Sequence, residues 1–134
     1  MALITWNDSY SVKVKEMDDQ HKKLVDMINQ LHEAMKVGKG KEAIGKVLTS
    51  LTDYTRRHFT SEENLMKIHG YPRYEEQKKA HDGLVNQVAD IQKKFSEGSA
   101  HSQEVIMFLK NWLIHHIQGM DRDYGPHLNG KGVK

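Results

Sequence analysis

Cysteine is absent from the 134 residues, so disulfides, thiolate metal sites and a cysteine nucleophile are excluded. Proline is nearly absent, with two in the whole chain, which leaves long helices uninterrupted. No apolar run approaches the length of about 18 residues that a membrane span needs. The first eight residues, Met1 to Asp8, lack the basic start and apolar core of a signal peptide, so a cytoplasmic location is the default expectation. Nor does charge of one sign dominate. The 20 basic and 18 acidic residues are interspersed and leave a net charge of +2, which argues against nucleic acid as a partner. The stretch Lys36 to Lys46 is rich in lysine but also carries Gly38, Gly40, Gly45 and Glu42. It reads as a solvated loop and helix start.

What is present favours helices. Lys, Glu, Leu and Met are plentiful, and the length suits one compact domain with a core, residues 1–134. Apolar residues recur at helical spacing in four segments. The first, residues 18–37, carries Leu24, Ile28, Leu31 and Met35, with Asp18 or Asp19 expected to cap it. The second, 41–68, carries Ile44, Val47, Leu48, Leu51, Tyr54, Leu65 and Met66. The third, 72–96, carries Tyr74, Leu84, Val88, Ile91 and Phe95. The fourth, 103–121, carries Val105, Phe108, Leu109, Trp112, Leu113, Ile117 and Met120. Residues 1–17 read as an extended arm that lays Trp6 on the bundle, 97–102 as a turn, and 125–134, with Gly and Pro, as a frayed tail. Short connections make neighbouring helices antiparallel. The expected fold is all-α, an up-down-up-down four-helix bundle with an extended N-terminal arm.

The informative residues interrupt the apolar stripes. His21 opens the first stripe, His58 and Glu62 continue the second, Gln77 and His81 lie in the third, and His116 lies in the fourth. A buried carboxylate such as Glu62 is costly unless paired or bound to a metal. Taken singly, each residue has an ordinary explanation as a hydrogen-bonded core group or a residue near a helix end. As a set they converge. His58 and Glu62, and Gln77 and His81, are one turn apart on one face, and an antiparallel bundle brings all four positions to the same end. Nine histidines without cysteine make imidazole, carboxylate and amide the available donors, a set that suits iron, manganese or zinc. Asp121 follows His116 by five residues, about 140° further round a regular helix. It can join the site from the side or through local unwinding. His115 should face outwards, His32 lies about 16 Å along the axis from His21, and His69 and His101 fall outside the stripe or at the far end.

The segments Asp18-Asp19-Gln20-His21-Lys22-Lys23-Leu24, His58-Phe59-Thr60-Ser61-Glu62-Glu63, Tyr71-Pro72 with Gln77 and His81, and Trp112-Leu113-Ile114-His115-His116-Ile117 with Asp121 are similar to those of the hemerythrin family, in particular its single-domain bacterial members. The resemblance runs from Trp6 to about Tyr124. It implies a cofactor of two non-haem iron ions with an oxo or hydroxo bridge. His21 and His58 would hold one iron. His81, His116 and the residue at 77 would hold the other, and Glu62 and Asp121 would bridge the two. Dioxygen would bind at the open position of the two-histidine iron. Ile28, Trp112, Leu113 and Ile117 are candidates for the pocket lining, or else ordinary core.

The departure is Gln77, where the family has histidine. Its carbonyl oxygen is a harder and weaker donor than an imidazole nitrogen. The resulting expectation is an oxygen-binding protein for carriage, storage, delivery or sensing, rather than an enzyme. An oxygen- or electron-accepting protein is the class of partner it would serve. The alternative is a site opened at Gln77, with peroxidase-like or nitric oxide and peroxide reactivity, or one only partly loaded with metal. A bundle that uses the site structurally is the third reading.

Overall fold

The computed structural model describes residues 3–38, 40–98 and 101–134. Met1, Ala2, Lys39, Ser99 and Ala100 lie outside the described residues, and so do the start of the arm and the middle of the turn expected at 97–102. Among the described residues there are five α-helices: α1 Lys15–Lys36, α2 Lys41–Ile68, α3 Tyr74–Ser96, α4 Ser102–His116 and α5 Arg122–Gly130. A π turn, Ile117–Asp121, joins α4 to α5, and a 3-10 turn, Asp8–Tyr10, lies in the arm. Among the described residues there is no strand. The four long helices form the bundle. Helix α2 packs between α1 and α3, and α4 closes the ring against α1 and α3. No helix of the described residues is long and apolar enough to cross a membrane.

The apolar stripes meet in one core. Leu24, Ile28 and Leu31 of α1, Leu48 and Leu51 of α2, Val88 of α3, and Val105, Leu109 and Leu113 of α4 are all buried. Each such side chain contributes about 1.5–3 kcal/mol relative to exposure. The turn between α2 and α3 shows how the chain reverses. Gly70 adopts φ 65°, Tyr71 N donates to Met66 O at 2.9 Å and Gly70 N to Lys67 O at 3.3 Å. This is the Schellman closure that satisfies the last carbonyls of α2. Tyr71 ends that closure and Tyr74 N donates back to Tyr71 O at 3.2 Å, so a turn over 72–73 intervenes and α3 begins at Tyr74 and not at the expected 72.

Two expectations about the ends are corrected. Helix α1 starts three residues before 18, with Val14 as its N-cap residue. Asp18 caps nothing; it accepts from Ser11 Oγ at 2.6 Å and Val12 N at 2.8 Å and pins the arm to the helix. The arm is therefore folded back, and Val12 and Val14 are buried. The frayed tail is also corrected. The chain continues as α5 to Gly130, with Tyr124, Gly125 and Leu128 buried. Gly125 and Pro126 are poor helix formers, but tertiary contacts override propensity here. Asn129 Nδ2 donates to Lys13 O at 2.9 Å, His127 Nε2 lies 2.8 Å from His69 O, and Arg73 pairs with Asp123 at 3.0 Å.

Candidate metal centre

At one end of the bundle, four elements each turn polar groups inward. Helix α1 brings His21, α2 brings His58 and Glu62, α3 brings Gln77 and His81, and α4 with the π turn brings His116 and Asp121. All seven are buried, none more than 5% exposed. The i,i+4 spacing places His58 Nε2 3.3 Å from Glu62 Oε1. The same oxygen lies 3.3 Å from His81 Nε2 and 4.0 Å from His116 Nε2. The other carboxylate oxygen, Oε2, lies 3.4 Å from His21 Nε2.

Asp121 enters by the unwinding that its spacing demands. The turn Ile117–Asp121 is a π-helix, whose i→i+5 pattern holds one residue more than an α turn. Five residues then span a single turn, and Asp121 comes round over His116. Asp121 Oδ1 lies 3.1 Å from His116 Nε2, and Oδ2 lies 2.9 Å from His21 Nε2.

Potential donor atoms fall into two overlapping groups. His21, His58, Glu62 and Asp121 form one; Glu62, His81, His116 and Asp121 form the other; within each group one atom per residue lies within 4.8 Å of all the rest. Both carboxylates belong to both groups. His32, His69, His101 and His115 belong to neither, and His115 is exposed. Gln77 lies beside the cluster with Nε2 donating to Met120 O at 2.9 Å, and its Oε1 is buried without a partner.

The donor chemistry fits a cation. Both nitrogens of His21 and His116, Nε2 of His58 and His81, Oε1 of Glu62 and Gln77, and both oxygens of Asp121 are buried without a hydrogen-bond partner; Trp112 Nε1 is the one other such atom among the described residues. An unsatisfied buried group costs about 1–3 kcal/mol. Cations bound between the imidazoles and carboxylates would supply the missing partners.

Outer contacts orient the donors. His58 Nδ1 is 2.6 Å from Gln20 Oε1, and His81 Nδ1 is 2.8 Å from Glu63 Oε2. Phe59 stacks on His81 with 3.9 Å between centroids and 2° between planes. Tyr124 Oη donates to Glu62 Oε2 at 2.5 Å. Gln20, Glu63 and Phe59 stand next to expected ligands in the chain, but periodicity assigns them no role. Tyr124 was missed because it falls at the edge of the segment read as a tail. Its one signal is the i,i+3 spacing from Asp121.

The electrostatics follow from burial and close opposite charges. Burial pulls the His21 imidazole down, but the nearby Asp121 and Glu62 carboxylates outweigh it and raise its pKa from 6.5 to about 10. Burial likewise lowers His81, and Glu62 and Glu63 reverse it, leaving the pKa raised. Glu62 is pushed up by burial but held well below the usual carboxylate range by His58, His21 and His81. Burial, with Glu62 and Asp121 nearby, lifts Tyr124 well above the ordinary phenol value. Tyr124 therefore stays protonated and donates.

Comparison with known proteins agrees with this geometry. The family model described as the hemerythrin HHE cation binding domain matches residues 12–128. The bacteriohemerythrin of Methylococcus capsulatus is 44% identical over 131 residues, which cover 96% of this chain and 99% of that one. The bacteriohemerythrin of Stenotrophomonas maltophilia is 35% identical over 133 residues, covering 96% and 86% respectively. A crystal structure of wild-type hemerythrin superposes with a TM-score of 0.87 at 43% identity, covering 95% of this chain and 98% of that one. With the family model spanning most of its length and the buried donors in place, this chain belongs to the hemerythrin family.

Proposed function

We propose that the chain holds two non-haem iron ions in this centre, joined by an oxo or hydroxo bridge, and binds dioxygen there. The observation that carries the reading is the sharing of Glu62 and Asp121 by two donor groups, each completed by a different pair of histidines. One metal alone would leave two imidazoles unused. In this reading His21 and His58 hold one iron, His81, His116 and Gln77 the other, and the two carboxylates are held in common. Reduced iron supplies the electrons that dioxygen accepts on binding. The residues of the chain do the rest. Gln20 and Glu63 hold the rings of His58 and His81 in orientation. Ile28, Trp112, Leu113 and Ile117, none more than 6% exposed, keep water from the dioxygen side.

Gln77 serves here as an oxygen donor. Its amide nitrogen is occupied by Met120 O, which leaves the carbonyl oxygen as the free end. The test is metal content and optical spectrum of the full chain after anaerobic iron loading, before and after oxygen. Two irons per chain and a new charge-transfer band on oxygenation are expected. Fewer than one iron per chain after loading, or no spectral change with oxygen, would defeat the reading.

A further inference from the structure

Glu62 and Asp121 present four carboxylate oxygens to the centre, and these are not alike. Glu62 Oε1 and both oxygens of Asp121 have no hydrogen-bond partner. Glu62 Oε2 accepts from Tyr124 Oη at 2.5 Å. That oxygen lies on the His21 side, 3.4 Å from His21 Nε2, whereas Oε1 faces His58 and His81 at 3.3 Å each. Tyr124 is fully buried, so no water competes for the bond.

We propose that Tyr124 is a positioning residue that makes the two metal positions unequal, by hydrogen-bonding the Glu62 oxygen that lies on the His21 side. The inference rests on the two-metal reading above. A carboxylate oxygen that accepts a hydrogen bond gives up part of its charge to the donor and binds a cation less strongly. Gln77 adds a donor on the opposite side, so both features leave the His21 and His58 position the weaker one. Removing the phenol oxygen would also leave Glu62 Oε2 buried without a partner until the second metal arrives. Both effects tighten the second binding step and leave the first unchanged.

The experiment is titration of the metal-free full chain with Co(II), followed by its d–d absorption against a competing chelator, for the wild type and Tyr124→Phe. Two unequal steps are expected in the wild type. In Tyr124→Phe the second step should tighten about tenfold while the first stays put. An unchanged gap between the steps would overturn the proposal, and so would a parallel weakening of both, which a merely structural tyrosine would give. Fewer than two Co(II) bound by the wild type would overturn the two-metal reading itself, and the proposal with it. Should Tyr124→Phe fail to fold, 3-fluorotyrosine in place of the five tyrosines applies the opposite perturbation. Its more acidic phenol strengthens the bond, and the gap should widen; a constant gap would again overturn the proposal.

Discussion

Glu63 stands at the rim of the centre with its side chain 16% exposed. One oxygen lies 2.8 Å from His81 Nδ1, and the other is 3.7 Å from Lys78 Nζ. The carboxylate sets the ring's tautomer and makes Nε2 the lone-pair donor. Losing such an outer bond weakens metal binding about 10- to 100-fold. Glu63→Ala should show that loss in chelator competition, with the helical content unchanged. An unchanged affinity would mean that packing on Phe59 alone orients His81. Gln77 is the second residue of consequence. A carbonyl oxygen is the weaker donor at this position, so Gln77→His should slow air oxidation of the reduced iron protein. Equal oxidation rates in the two proteins would show that position 77 does not govern that chemistry. His21, His58, Glu62, Gln77, His81 and His116 were all legible from interrupted stripes, because i,i+4 spacing is a property of the helix that carries them. The outer partners were not legible, since Gln20 and His58 are 38 residues apart and meet only in the folded bundle.

At the scale of elements, the arm and α5 form a clasp over the metal-bearing end of the bundle. The fit is close at Gly125, where an added Cβ would lie 2.2 Å from Val12 O. That oxygen belongs to the backbone and cannot swing aside. Gly125→Ala should therefore destabilise the protein by about 1–3 kcal/mol, read from urea unfolding. Gly83 in α3 is the control, because a Cβ there meets nothing within 4 Å. Gly83→Ala should stabilise by about 0.5–1 kcal/mol through helix propensity alone. Equal effects at the two sites would mean that the arm does not pack as described. The α1 start, the α5 helix and the π turn are also the elements that local pattern misjudged or left open. Each depends on contacts that helical periodicity does not report: Asp18 with the preceding arm, and, across the chain, Asn129 with Lys13 and Gln77 with Met120.

For the whole molecule, the centre ties stability and metal affinity to pH. In the metal-free protein His21 has its pKa raised from 6.5 to about 10 by Asp121 and Glu62, against burial. A raised pKa gives stabilisation that is full below the unfolded value and fades as pH climbs through the folded one. Glu62, held well below the usual carboxylate range despite burial, works in the opposite sense. Its contribution is present above the ordinary carboxylate pKa and fades as pH falls. Metal must displace the proton on His21. Apparent metal affinity should therefore keep rising from neutral pH towards about pH 10, past the point where a free imidazole would level off. Chelator competition across that range checks this, and a plateau near pH 7 would contradict it.

The chain alone determined an all-α bundle and an inward layer of four histidines, a glutamate and a glutamine, because both are read from periodicity within single helices. It also narrowed the donors to nitrogen and oxygen by lacking cysteine. Asp121 remained open, since five residues from His116 is out of phase in a regular helix. Only the tertiary structure decided that Ile117–Asp121 widens into a π turn and that Tyr124 reaches Glu62. The physical reason is that a helix's own spacing sets which side chains share a face. Where a helix unwinds, and what its end packs against, depends on segments far away in the chain.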